Sequence, residues 1–466
     1  MLCVVVYAGF GLFRVRLFIL NGYDLGIFDQ IVRHYAHFQV PYVTLKGDDY
    51  NIFADHFHPI VATWGVLYWV WADVRMLIIG QAVVVAAAVF PLKRFVTRHL
   101  PMPFAKTFVA LAMLGWPIVS LVNFDVHEIA FGVLLLAWIL DSLDRRAVIP
   151  LLISCLLLLF VREDMGAIVA TAGVVWVLSP WRRRRHWRDW ALSAGLVIGG
   201  LAAFVLITGV VIPHFDAGGY AYWDYGAFGS GAGPALVGMV TQPWKVLWLM
   251  FWPPVKTLTW LALLLPLGLL PCRSPYFLMV LPIMLERMLA GRENLWGLSF
   301  HYNAPVWIIL VFAAVHGFGG LGAGWRSRLA ARRRLITGVA WAIIVGVAAT
   351  LLVTEAISDS DGADRRAGAA QIPANTCVVA GNRLAAGFVA TNRVTVPGVS
   401  DHRQDFYILD MKTPPTASPL NWTAAQTYDK AIADGFQLVF VQGTVVVLRA
   451  GDYQGPDAAQ CGPFAR

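Results

Sequence analysis

Long apolar runs separated by short polar segments dominate the first three-quarters of the chain. A bilayer-spanning helix needs about 20 apolar residues. Eleven runs approach that length: 1–20, 75–97, 104–122, 128–143, 147–160, 166–180, 190–212, 255–271, 275–290, 303–323 and 336–354. Two others, 59–72 (with Trp64, Tyr68, Trp69 and Trp71) and 236–252, are rich in aromatics and read as interfacial or re-entrant. After residue 354 the pattern changes to short apolar strands and turns. Thr376 to Ala380 reads as a strand, and 436–441 with 444–448 as a hairpin around Gln442-Gly443. Thr423 to Asp434 reads as a helix. The expectation is an α-helical polytopic membrane domain over 1–354 and a small soluble α/β domain over 355–466.

Charge then orients the runs. Basic residues gather in alternate loops: Lys93, Arg94, Arg98 and Lys106; Arg145 and Arg146; Arg182 to Arg185 with Arg188; Arg273; and Arg326, Arg328 and Arg332 to Arg334. Cytoplasmic loops carry such an excess, so the remaining loops, which hold most of the acids, face outward. With eleven spans the amino terminus is cytoplasmic and the C-terminal domain extracytoplasmic, in a bacterial inner membrane. Only 14% of the 466 residues are charged, against about a quarter in soluble domains. The net charge of +8 is accounted for by these loops, and no nucleic-acid-binding motif accompanies it. Arg14 and Arg16 interrupt the first run. Either they snorkel, or translation starts upstream. Of five cysteines, Cys377 and Cys461 flank the soluble tail. Outside the cytoplasm they are candidates for a disulfide; the alternative is two independent buried thiols.

The candidate chemistry lies in the acid-rich loops. Asp24 and Asp29 follow the first run within Tyr23 to Gln30. Five residues apart, they sit roughly 140° from one another on a helix and need not share a face. Either carboxylate is a candidate general base, while Asp24 also suits a helix N-cap. Asp55, His56 and His58, with Asp125, His127 and Glu128, are either divalent-metal ligands or a hydrogen-bonded clamp beneath a site. Arg162, Glu163 and Asp164 offer a phosphate-binding fork or an internal ion pair. Arg292, Glu293, His301 and Tyr302 precede a long apolar run, where Arg292, His301 and Tyr302 are candidate contacts for a donor phosphate or substrate, or His301 and Tyr302 an interfacial anchor. The aromatics of Tyr220 to Tyr225 suit sugar stacking or an interfacial belt. No internal repeat, Walker motif, Rossmann glycine pattern or His-Glu-x-x-His motif is present.

Together Tyr23 to Gln30, Asp55-His56-Phe57-His58-Pro59, Asn123-Phe124-Asp125-Val126-His127-Glu128, Arg162-Glu163-Asp164 and Val445 to Arg449 resemble a family of bacterial predicted membrane proteins. That family is similar to the GT-C superfamily of integral-membrane glycosyltransferases. The resemblance implies a polyprenyl-phosphate sugar donor and a glycan, lipid or protein acceptor. It also implies an outward site whose base is a carboxylate of the first outer loop: Asp24, with Asp29 as its rival. By topology Arg162 and His301 would meet the donor phosphate. Many superfamily members carry adjacent acids in that loop, whereas these two are five apart. No cofactor is required by this reading, with a divalent metal the one candidate. The competing classes are a transporter or flippase of a lipid-linked intermediate, whose acids would relay protons, and a non-catalytic envelope assembly factor.

Overall fold

A computed structural model describes residues 1–179, 186–216, 218, 220–322, 359–400, 402–413 and 420–461, with scattered positions between 324 and 350. The protein is a bundle of apolar helices capped at one end by a five-stranded sheet. Among the described residues three helices are long and apolar enough to cross a membrane: Val74–His99, Phe104–Phe124 and Trp187–Phe215. Pro243–Leu249 and Pro254–Leu267 become a fourth if the pair, bent by 72°, is taken as one span.

Several of the expected runs are shorter than a bilayer is thick. Val148–Leu159 and Met165–Leu178 are interrupted by the polar Arg162-Glu163-Asp164 turn, and 275–290 begins as a 3-10 turn before Val280–Leu289. The 59–72 run forms Pro59–Val70, with Trp69 and Trp71 exposed. The 236–252 run splits at Gln242-Pro243 into Ala232–Thr241 and Pro243–Leu249. Proline cannot donate the backbone bond that would continue the first helix. The 336–354 run falls largely outside the described residues, as do Arg182 to Arg185, Arg326 and Arg333.

Asn303–Gly319 is the axis of the bundle. It is apolar on every face, and almost all of its residues are buried; such a helix has no side to offer water. Its Trp307 is 1% exposed and donates its indole N–H to the Ala112 carbonyl at 3.0 Å. Met165–Leu178 and Trp187–Leu206 pack closely through small residues. A Cβ on Gly200 would meet the Gly166 carbonyl oxygen at 2.4 Å, and Ser193 Oγ donates to the Gly173 carbonyl at 2.7 Å. Close backbone approach through small residues is how helices associate where lipid removes the hydrophobic driving force.

The first helix, Leu2–Arg16, ends in a buried cation. Arg14 neither snorkels nor faces lipid: its guanidinium donates to the Asn123 and Phe124 carbonyls, at the C-terminus of helix Trp116–Phe124, and lies 3.1 Å from Asp125. Unsatisfied carbonyls at a helix end carry partial negative charge, so a cation belongs there.

The C-terminal sheet runs β2–β1–β3–β5–β4, with β1 Cys377–Ala380, β2 Arg393–Thr395, β3 Phe406–Asp410, β4 Gln437–Gln442 and β5 Val445–Arg449. β1 is parallel to β2 and β3, and the β4–β5 hairpin is antiparallel, turning at Gly443 with φ +56°. The helix Ala424–Ala433 begins with a Thr423–Gln426 capping box. Cys377 and Cys461 are disulfide-bonded, joining β1 to the end of the described chain. Arg365, on helix Asp359–Ala369, and Asp410 form a pair at 2.9 Å whose side chains are almost wholly excluded from water. Removing one member of a buried pair strands the other and costs about 3–5 kcal/mol. Arg365→Met is therefore expected to lower the apparent Tm of the purified protein in detergent, read by thermal shift. An unchanged Tm would show that Asp410 finds another partner.

Candidate functional site

Asp24 sits in a one-turn segment, Gly22–Gly26, between the first helix and Ile27–Ala36. Its own bond, Gly26 N–H to the Asn21 carbonyl at 2.9 Å, is supplemented by bonds from the C-terminal domain. Leu20 N–H donates to the Arg383 carbonyl at 2.7 Å, and Gly22 N–H to the Asn382 carbonyl at 2.7 Å. Tyr23 N–H donates to Asn382 Oδ1 at 2.9 Å, and Ala386 N–H returns a bond to the Leu20 carbonyl at 2.9 Å. Gly22 is required for this approach, because a Cβ there would meet Ala385 Cβ at 2.9 Å.

Above the turn lies a cavity of about 730 Å³. Its wall carries Asp24, Asp55, His56, His58, His127, Glu128, Arg162, Arg292, His301 and Tyr302. At its centre the His127 and His301 rings stack at 3.6 Å. One ligand atom from each of Asp24, His127 and His301 lies within 4.8 Å of the others. From there a line of charges leads to a cation: His127 Nδ1 is 2.6 Å from Glu128 Oε2, Glu128 Oε1 is 3.8 Å from Arg162, and Arg162 is held by Asp164 at 2.5 Å. On the other flank Glu163 accepts from His56 Nδ1 at 2.7 Å, from Phe57 N–H at 3.1 Å and from the Tyr220 hydroxyl at 3.0 Å. Tyr222 stacks on His56 at 4.1 Å, donates its hydroxyl to Asp55 and lies 4.3 Å beneath the Arg292 guanidinium. Lys46 Nζ is 2.5 Å from Asp55.

The electrostatics divide the acids by role. Burial pushes the Asp24 carboxyl above the ordinary range; His127 and Lys46 oppose this, while Glu128 and Asp55 add to it. Burial also acts on Glu128, but interactions with His127, His58 and Arg162 outweigh it and hold that carboxyl at about 2. Asp55 is likewise held at about 2 against burial, by His56, Lys46 and the Tyr222 hydroxyl. Burial, His127 and Arg162 drive His301 well below its ordinary value, so its ring is neutral, and neither ring nitrogen has a partner among the described residues. The cavity thus offers two fixed anions, one carboxylate poised nearer neutrality and an uncharged imidazole with both nitrogens open.

Not every candidate reaches the wall. Asp29 is 1% exposed but off the cavity, bound to Arg33 at 3.0 Å and to the Tyr68 hydroxyl; it belongs to helix Ile27–Ala36, beyond the turn that carries Asp24. Asp125 lies behind the wall, between Arg14 and the Asn21 amide at 2.6 Å, and burial raises it to about 7. Glu163 and Asp164 stand behind the wall as anchors for His56 and Arg162. Among the described residues the six-residue metal set (Asp55, His56, His58, Asp125, His127 and Glu128) does not converge. Lys46 and Glu163 claim Asp55 and His56, and the grouping that does converge is Asp24, His127 and His301. Lys46, Asn382 and Arg383 also line the cavity and carry no sequence signal of it. Lys46 stood near Asp48 and Asp49 with no motif around it. Asn382 and Arg383 lie in a strand-to-turn segment of the distant domain, where sequence carries no sign of contact with residue 24.

The sequence profile of the predicted membrane protein family DUF2079 matches residues 14–416. The chain belongs to that family. No curated protein matches it by sequence. Among solved structures it is similar to ArnT from Cupriavidus metallidurans bound to undecaprenyl phosphate, with 13% identity, 99% of each chain covered and a TM-score of 0.58. The apo state of the same protein gives 13% identity, the same coverage and a TM-score of 0.49. The likeness extends over both the bundle and the sheet, so the chain shares the fold of that structure.

The Lys46–Asp55 pair gives a pH signature. The Asp55 carboxyl lies at about 2 when folded against an ordinary 3.8. Its stabilisation is complete above its ordinary value and disappears as pH falls towards its folded one. Lys46→Met is expected to lower Tm at neutral pH, and the gap to wild type is expected to close below about pH 4. A gap of constant size across that range would mean that Lys46 acts by packing alone.

Proposed function

We propose that the protein is an integral-membrane glycosyltransferase that moves a sugar from a polyprenyl-phosphate donor to an envelope acceptor. The observation that carries this reading is the Asp24 carboxyl, raised towards neutrality, in a large polar cavity that also presents Arg162, Arg292 and a neutral His301. A base works best when its pKa approaches the working pH. The fold likeness to a protein bound to undecaprenyl phosphate supports the donor class by analogy.

In the reaction Asp24 takes the proton of an acceptor hydroxyl as that oxygen bonds to the anomeric carbon. The bond from the anomeric carbon to the phosphate oxygen breaks, and polyprenyl phosphate leaves with the electron pair. Arg162, fixed by Asp164 and Glu128, faces the charge that develops on the leaving phosphate, as a preorganised cation in a poorly hydrated site should. Attack opposite the leaving group inverts the anomeric centre.

An apolar pocket of about 190 Å³ beside Asp164, bordered by Phe204, Trp223, Leu236, Met239 and Leu285, suits the first isoprene units of the donor. A second use of Asp24, His127 and His301 is to hold a divalent cation, with Asp24 then a ligand and not the base. Bound there, it would supply fixed positive charge and Lewis acidity. The basic loops support a topology of eleven spans over 1–354 with a cytoplasmic amino terminus. Residues 355–466 and the cavity then lie outside the inner membrane.

Asp24→Asn is expected to cut sugar transfer by about 10²–10⁴-fold while leaving thermal stability and undecaprenyl phosphate binding intact. Transfer by purified Asp24→Asn at the wild-type rate would remove Asp24 as the base. The substrate is best found by comparing envelope glycans and glycolipids of a deletion strain with those of its complemented parent. Arg162→Gln is expected to weaken undecaprenyl phosphate binding by about tenfold or more, the scale of charge-assisted hydrogen bonds, as read by tryptophan fluorescence titration.

A further inference from the structure

Five arginine or lysine side chains line the cavity: Arg14, Lys46, Arg162, Arg292 and Arg383. Four have carboxylate partners: Asp125, Asp55, Asp164 and Asp224 respectively. Among the described residues the Arg383 guanidinium has no hydrogen bond or ion pair. The charges nearest it are already engaged. Asp410 is held by Arg365 at 2.9 Å, Asp361 by Lys412 at 3.2 Å, and Arg14 and Arg365 repel it. Its backbone is nonetheless fixed, since its carbonyl takes the Leu20 N–H and the preceding Asn382 holds Gly22 and Tyr23. Arg383 is thus a partly buried fork, rigidly mounted beside the Asp24 turn, with no counter-ion of its own.

Its place differs from that of Arg162. Arg162 reaches the central histidines through Glu128, on the helical side. Arg383 reaches the Asp24 turn through Asn382, on the sheet side, and the groups that act on it are not those that act on Arg162. One cavity therefore has two cationic positions of separate origin. Three asparagines, Asn21, Asn294 and Asn382, share its wall, and amides are natural partners for sugar hydroxyls. A guanidinium fork matches the paired oxygens of phosphate or carboxylate.

We propose that Arg383 binds an anionic group on the acceptor, a saccharide carrying phosphate or carboxylate, so that the C-terminal domain selects the acceptor's charge. This rests on the glycosyltransferase reading for the word acceptor, but the anion site itself can be tested apart from it.

The test uses the full-length protein purified in detergent, with four probes: glucose 1-phosphate, glucuronate, methyl glucoside and undecaprenyl phosphate. Wild type is expected to bind at least one of the two charged sugars more tightly than methyl glucoside, with undecaprenyl phosphate present at saturation. Arg383→Gln should weaken that charged-sugar binding by about tenfold or more, without changing the Kd for undecaprenyl phosphate or the Tm. Arg383→Lys, which keeps the charge and loses the fork, should fall between the two and serves if Arg383→Gln folds poorly. Equal binding of charged and neutral sugars by wild type would overturn the proposal, as would charged-sugar binding insensitive to both variants. A loss confined to undecaprenyl phosphate would also overturn it, by moving Arg383 to the donor. If wild type ignores undecaprenyl phosphate yet binds charged sugars through Arg383, the transferase reading fails while the anion site stands.

Discussion

The structure turns on a short set of backbone hydrogen bonds between residues 20–23 and residues 382–386. An isolated five-residue turn has too few internal bonds to offset the entropy of ordering it. Asp24 keeps one position because the loop that follows β1 in the sheet domain bonds to the turn. Gly22 and Gly26 then allow the approach, with Ala385 and Leu45 filling the space a side chain would need. Everything proposed for the cavity depends on this clamp, since the carboxylate, the two histidines and the arginines come from segments that share no secondary structure.

Much of this could be read from the residues in order. Hydropathy marked the long helices, because spanning a bilayer leaves a period-free apolar run that few other structures need. The C-terminal hairpin and the helix after Thr423 carried standard turn and capping signals. The acid-rich turns that line the cavity were visible as polar groups interrupting apolar sequence: Asp24, His127, Glu128, Arg162 and His301 all meet there. Pairing was not visible. Whether Asp24 or Asp29 faces the cavity depends on how the Gly22–Gly26 turn joins the helix that carries Asp29, and whether Asp55 ligates an ion or binds Lys46 depends on the fold of the eight residues between them. Arg14 looked misplaced in an apolar run because its partner, Asp125, lies more than a hundred positions away. Arg383 gave no signal, since nothing in a strand-to-turn sequence reports which surface it docks on.

The charges show how a membrane protein keeps so many ions in one place. Unpaired buried charge is costly, and even paired charge is compensated only with good geometry and further hydrogen bonds. Glu163 accepts three such bonds, and Asp164 grips Arg162 through both oxygens. These acids stand behind the wall and hold the groups that face the cavity. The wall can therefore present cations and open imidazole nitrogens to a ligand without destabilising the bundle around it.

The bond between Tyr23 and Asn382 joins positions 359 apart in the chain. A chain leaves the ribosome from its amino end, and its domains fold broadly in that order. The turn that bears Asp24 is thus made among the first segments and completed among the last. Helices can insert and pack while the cavity still lacks one wall, and that wall arrives only when the sheet has folded. The cavity is therefore complete only when segments from both ends of the described chain are in place.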